Sequence, residues 1–213
     1  MQGVNLVPSI DTLSAQQVMS DAIVVAPQIE FPSRTDTECV NGSNGQPQVE
    51  TWLASDVPDE LVSLLRVSRD RASWATIGFS SGGWCAAMAA MLHPDVFGVG
   101  IVLGGYTSPD FGKTYVPFTR SSPAGKRYEL AALAQSSPPP VALWLQTSKA
   151  DTLSYGSSLA LLTAAHAPLS VESRVAVDGG HRMSVWADIV PQALTWLGST
   201  AAGFTPGRPA VQP

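Results

Sequence analysis

Three things are scarce in this sequence: positive charge, histidine and cysteine. Twelve Lys and Arg stand against seventeen Asp and Glu, for a net charge of −5, and the cations form no cluster. That balance argues against nucleic acid or an anionic membrane surface as partner. No run approaches the ~18 apolar residues that a membrane span needs. The first twenty residues lack the charged-then-apolar layout of an export signal. The two cysteines, Cys39 and Cys85, are too few for a zinc site and have no metal-ligand spacing. Neither a metal nor an organic cofactor is implied. What is plentiful is apolar: 45% hydrophobic against 14% charged residues predicts a globular chain, and 213 residues suit one domain.

The chain is organised around Ile77-Gly78-Phe79-Ser80-Ser81-Gly82-Gly83. Residues 74–79 read as a short buried strand. Trp84, Ala87, Met88, Met91 and Leu92 then recur at helical spacing, and Pro94 stops that helix at His93. Between the two, Gly78-x-Ser80-x-Gly82 has the pattern of a nucleophile elbow, a strained strand-to-helix turn that exposes the serine hydroxyl. The motif is short enough to arise by chance, so its weight comes from the strand before it and the helix after it. In that setting Ser80 is the candidate nucleophile. The Ser81 N–H, at the helix start, is the candidate oxyanion donor.

Along the chain, a helix is predicted over 12–19 with Asp11 as its cap, then a buried strand over 22–26 stopped by Pro27. Residues 28–50 are irregular. Asp56-Val57-Pro58-Asp59-Glu60 reads as a helix start, with Leu61, Leu64 and Leu65 turned inward. Beyond the elbow come a strand over 99–103, an aromatic-rich stretch over 106–128, a helix over 126–134 and a strand over 141–146. A helix over 153–165, a strand over 171–177 and a helix over 185–197, kinked at Pro191, complete the domain. Residues 199–213 read as a frayed tail.

Strand and helix thus alternate about five times. That predicts an α/β fold over residues 1–198, a mainly parallel sheet with helices on both faces and its site at the strands' carboxyl ends. The 106–128 stretch reads either as a surface loop with aromatic anchors or as a pocket wall or lid. Tyr106 and Phe111, with Trp84 from the elbow helix, are the candidate substrate contacts.

A serine needs a base. His93 and His166 each close a helix before a nearby proline and read as exposed helix ends. His181 follows Asp178-Gly179-Gly180 directly after a buried strand, which puts it on a flexible loop at the strand's carboxyl end. The carboxylate that orients it is Asp151, in the loop after the preceding strand, with Asp178 as rival. Ser80, Asp151 and His181 then follow the chain order of α/β-hydrolases. Cys39 and Cys85 both fall near this end, either as a disulfide or as two reduced thiols.

GFSSGGWCAAMAAMLHPDVF, the later KAD loop, and GGHRMSVW ending in TWL resemble the esterase-D-type esterase family. That family contains carboxylesterases, S-formylglutathione hydrolases and secreted mycolyltransferases. TECVNGSNGQPQVETWLASDVP resembles the segment that leads from the fourth strand towards the elbow in actinobacterial-style members. The resemblance covers residues 20–198, and the elbow and GGH-x4-W are its most specific parts. It implies an α/β-hydrolase fold with Ser80 as nucleophile, His181 as base, Asp151 as acid and the Ser81 N–H in the oxyanion hole. Family members carry earlier strands and an HG-containing loop ahead of the position of Ala22, and that loop gives a second oxyanion donor. The short lead-in here suggests the carboxyl-side portion of a longer hydrolase, prone to pair with a second copy and slow in turnover. The expected activity is hydrolysis of a small-molecule ester or thioester through an acyl-serine. Acyl transfer to a sugar or lipid hydroxyl and a catalytically silent interaction domain are the alternatives. The resemblance and a Cys39–Cys85 bond would together suit an extracytoplasmic location.

Overall fold

Among the described residues three apolar segments and a more polar one form the sheet: β1 (Ala75–Phe79), β2 (Val99–Leu103), β3 (Ala142–Ser148) and β4 (Ser170–Ala176), the last carrying Glu172 and Arg174 and buried at no position. They lie in sequence order and every pair is parallel. The computed structural model describes residues 2–30, 35–43 and 45–207. Its helices are α1 (Leu6–Ala15), α2 (Val49–Thr51), α3 (Val57–Leu64), α4 (Ser81–Leu92), α5 (Pro123–Arg127), α6 (Leu130–Ser136), α7 (Tyr155–Ala164) and α8 (Met183–Thr200).

Alternate strand residues point to opposite faces, so the central strands β2 and β3 feed two cores. Val102, Leu143 and Leu145 pack with residues of α4, α6 and α7. Val99, Ile101, Leu103 and Trp144 pack with α1 and α8 on the other face. Helix α4 is buried from Gly83 to Met91, because loop segments cover the side that the sheet does not. Its close approach rests on two glycines. A Cβ at Gly78 would lie 2.0 Å from the Gly82 carbonyl oxygen, and one at Gly83 would lie 2.9 Å from Gly105 Cα. Gly82, the last glycine of the elbow motif, has open space beside it.

Several sequence expectations need correction. Residues 22–26 form no strand. Ser20 is tied to Phe204 and Thr205 at one end, and the Gln28 carbonyl accepts from the Trp52 indole at the other. Between those points the chain runs alongside β1, but a cavity of about 750 Å³ separates the two. Without a ladder partner, strand propensity alone does not hold, and Ile23 and Val25 stand exposed at 62% and 41%. Among the described residues β1 therefore has β2 as its only strand neighbour, and it is half-buried throughout, whereas β2 is buried at every residue. The sheet among the described residues has four strands instead of five.

The first helix is Leu6–Ala15, so Asp11 lies inside it and does not cap it. Asp56 is helical and caps nothing, since the helical path already starts at Val49. A π-helical stretch, Trp52–Asp56, leads into α3, loosening the ladder where Pro58 can offer no N–H. Leu64 and Leu65 point outward, 69% and 40% exposed. The helix expected over 126–134 is two pieces, α5 and α6. The tail is ordered as far as it is described: α8 runs to Thr200, Ala202–Phe204 is a 3₁₀ turn, and Phe204 packs on the α8-side core. Residues 208–213 lie outside the described residues.

Candidate active site

The turn from β1 into α4 holds Ser80 at φ 56° and ψ −127°, a backbone conformation that serine seldom adopts. Two bonds keep it there: the Ser80 N–H donates to the Leu103 carbonyl at 2.9 Å, and the Ser80 carbonyl accepts from the Trp84 N–H at 3.1 Å. Ser81 follows as the first residue of α4, where backbone N–H groups have no acceptor within the helix.

His181 comes from the loop after β4. Gly179 and Gly180 take φ of 118° and 65° to turn it back over the sheet. The Ser148 hydroxyl fixes that turn, donating to the Asp178 carbonyl and accepting from the Gly180 N–H. Asp151 lies beyond β3 and is 1% exposed. One of its oxygens, Oδ1, accepts from the N–H groups of Leu153 and Ser154, and Oδ2 accepts from the Ser154 hydroxyl at 2.6 Å.

The three side chains meet. His181 Nε2 lies 2.8 Å from Ser80 Oγ, and His181 Nδ1 lies 2.8 Å from Asp151 Oδ2. Asp151, not Asp178, is the carboxylate at the imidazole. Burial works to raise the Asp151 carboxyl, but hydrogen bonds from Ser154 and His181 outweigh it and hold its pKa below the ordinary value. A serine hydroxyl, an imidazole and an ionised carboxylate in this line can pass a proton from the first to the second.

The expected substrate contacts fare differently. Trp84 is wholly buried and its indole N–H donates to the Glu38 carbonyl at 2.8 Å, so it supports the loop and does not line a pocket. Tyr106 stacks on Trp84 with centroids 6.2 Å apart and donates its hydroxyl to the Glu38 carboxylate. Phe111 stands edge-on to Phe118 at 5.0 Å, and Phe118 stacks on Tyr128. The 106–128 stretch is thus a folded aromatic cluster. Cys39 and Cys85 form a disulfide, with Cα atoms 5.7 Å apart, tying the Glu38 loop to α4.

His93 is no exposed helix end: it bonds Glu50 Oε1 at 2.7 Å and its side chain is 22% exposed. His166 is exposed and faces backbone carbonyls. Two buried glutamates, Glu38 and Glu50, escaped the sequence reading. Glu38 adjoins Cys39, the one local hint, whereas Glu50 meets its partners only through the fold. Among the described residues no group of His, Cys, Asp or Glu converges to hold a metal ion, and no helix is long and apolar enough to cross a membrane.

Comparison with known proteins bears on the same elements. Over 67 residues, 32% of this chain, the sequence is 36% identical to the MPT51 antigen of Mycobacterium leprae (strain TN), and the match spans 22% of that protein. A ferulic acid esterase superposes with a TM-score of 0.71 at 18% identity, over 92% of this chain and 77% of that one. An S-formylglutathione hydrolase from Agrobacterium tumefaciens does so with a TM-score of 0.64 at 16% identity, over 78% and 64%. This chain therefore spans less than two thirds of the mycobacterial and Agrobacterium proteins, and the structural likeness is one of fold, the α/β-hydrolase fold. A family model described as Putative esterase matches residues 9–197, from α1 through the sheet into α8. On that match the chain belongs to this esterase family.

Proposed function

We propose that this protein is a serine esterase that cleaves small-molecule esters or thioesters through an acyl-Ser80 intermediate. The observation that carries the reading is the pair of 2.8 Å contacts that joins Ser80, His181 and Asp151. Ser80 Oγ attacks the acyl carbon while its proton passes to His181 Nε2, and Asp151 stabilises the imidazolium that results. Negative charge on the former carbonyl oxygen falls beside the Ser81 N–H and the positive end of α4. Collapse expels the alcohol or thiol, which takes the proton from His181. Water then repeats the sequence on the acyl-enzyme, and His181 serves first as base and then as acid. The aromatic cluster of residues 106–128 would act as a fixed wall beside this site. The Cys39–Cys85 bond favours an oxidising, extracytoplasmic setting, because such bonds do not persist in a reducing cytosol.

An active-site-directed fluorophosphonate, with hydrolysis of an activated ester measured alongside, tests the reading. Wild type should label and turn over. Ser80→Ala should lose labelling and about 10⁶ in kcat, and Asp151→Asn about 10⁴, as the imidazole loses its tautomer. Labelling that survives in Ser80→Ala would move the nucleophile to another serine, and an effect of Asp178→Asn larger than that of Asp151→Asn would move the acid role.

A further inference from the structure

The sequence pattern GGH-x4-W leaves one residue without a task in the mechanism above, Trp186. It lies in the first turn of α8, is 4% exposed and touches both sides of the proton path. The His181 imidazole stands at 88° to the indole with centroids 4.8 Å apart. Phe79, the residue before Ser80, stacks on the indole at 5.1 Å and 21°. A third element closes the seat: Gly104, at φ 57°, where a Cβ would come within 2.8 Å of the indole nitrogen.

We propose that Trp186 is a positioning residue for His181, one rigid ring that sets the base against the nucleophile. The proposal rests on the serine esterase reading. Hydrogen bonds at Nδ1 and Nε2 fix the two ends of the imidazole but leave it free to rock about the line between them. A perpendicular indole blocks that rocking. Because the same indole packs on Phe79, the backbone that carries Ser80 and the ring that receives its proton share one support. The indole N–H has no partner among the described residues although it is buried. A buried donor left unpaired disfavours the fold, so no hydrogen bond accounts for a tryptophan here. Its flat apolar ring does, held by Phe79, Gly104 and the α8-side core. The bland alternative is a core aromatic that merely fills space.

The test compares three variants with wild type by labelling rate, kcat and KM, and by the low-field proton resonance of His181 Nδ1–H. Trp186→Leu should slow labelling and kcat by about 10–100-fold with KM nearly unchanged, since small misplacements of a reacting group cost rates of that order. It should also broaden or abolish the Nδ1–H resonance. Trp186→Phe, which keeps a flat ring, should recover most of the rate and the resonance. Leu194→Ala, 2% exposed in the original and in the same helix and core, should destabilise the fold yet change labelling less than about twofold while folded. Equal slowing by Leu194→Ala, or a fast-labelling Trp186→Leu with a sharp resonance, would overturn the positioning role while leaving the esterase reading intact. A wild type inert to the fluorophosphonate would overturn both.

Discussion

Glu38 and Glu50 are almost equally hidden, at 3% and 1% exposure, yet their carboxyls go opposite ways. Glu38 is raised to about 7 and Glu50 is lowered to about 2. Burial pushes both upward and is the largest influence on each. Among the described residues Glu38 is answered only by the Tyr106 hydroxyl and the Asp110 N–H, with Asp36 and Asp110 adding like charge nearby. Glu50 is answered by His93, by both terminal nitrogens of Arg127 and by the Tyr128 hydroxyl, and together they outweigh its burial. Depth sets the penalty, and the available cation decides whether the charge survives it. The two sites also hold different things. Glu50 fastens the end of the aromatic stretch to the end of α4, while Glu38 lies beside the disulfide, close to the start of that helix.

Removing the Glu50 charge is the harshest way to break this contrast. Glu50→Gln strands the Arg127 guanidinium and His93 without their anion. Losing one partner of a fully buried pair costs about 3–5 kcal/mol. The Arg127 side chain is 45% exposed and regains some hydration, which brings the expected loss to about 2–3 kcal/mol. Urea unfolding at pH 7 checks it, and a loss below about 0.5 kcal/mol would mean that Glu50 contributes no more than a surface pair does.

Where the chemistry lay at strand ends it was legible in the sequence, because the signals were local. Gly78-x-Ser80, the Pro94 stop and Gly179-Gly180-His181 each act within a few residues. Asp151 was placed by strand-end logic, and the structure puts its carboxylate on the imidazole. What failed was whatever depends on partners distant in sequence. Residues 22–26 have strand composition, but a strand is made by its neighbour, and β1 does not reach them. His93 looked exposed because Pro94 follows, while its partner Glu50 comes from a segment 43 residues away. Trp84 recurs with Ala87, Met88, Met91 and Leu92 at helical spacing, yet periodicity cannot tell a pocket lining from a core residue, and Trp84 is core.

Acid and base should act on the two glutamates in opposite senses. For Glu50 the folded value of about 2 lies below the ordinary 4.5, so its contribution is present above pH 4.5 and disappears as pH falls towards 2. For Glu38 the folded value of about 7 lies above 4.5. Its contribution is full below pH 4.5 and is lost as pH rises through 7, at up to about 1.4 kcal/mol per pH unit. From these two groups alone, stability should be greatest near pH 4.5–5 and should decline on both sides. Unfolding free energies measured from pH 3 to 8 should show that decline, and Glu50→Gln should flatten the acid side only. A wild-type curve rising steadily from pH 5 to 8 would mean that Glu38 is already ionised at little cost.

Glu38→Gln is the gentlest change, and it should stabilise. At pH 8 the wild-type side chain is a buried anion with no cation on it among the described residues. Glutamine keeps the shape and removes the charge. Its carbonyl can take the place of Oε2, which accepts from the Asp110 N–H at 3.1 Å and from the Tyr106 hydroxyl at 2.8 Å. Its amide can donate to the Tyr106 oxygen from the place of Oε1, 2.6 Å away in the wild type. No donor is left facing a donor, so the gain at pH 8 is set by the charge removed less the weaker neutral bonds, and it should match the decline that the wild type shows between pH 4.5 and 7. Below pH 4.5 the wild-type carboxyl is protonated and the two proteins should be equally stable. The decline between pH 4.5 and 7 should shrink in the variant, and kcat should hold, since Glu38 makes no contact with Ser80, His181 or Asp151 among the described bonds. A variant destabilised by more than about 1 kcal/mol at pH 8 would show that the ionised carboxylate strengthens the Tyr106 contact by more than its burial costs. Absence of a cation would then no longer separate Glu38 from Glu50.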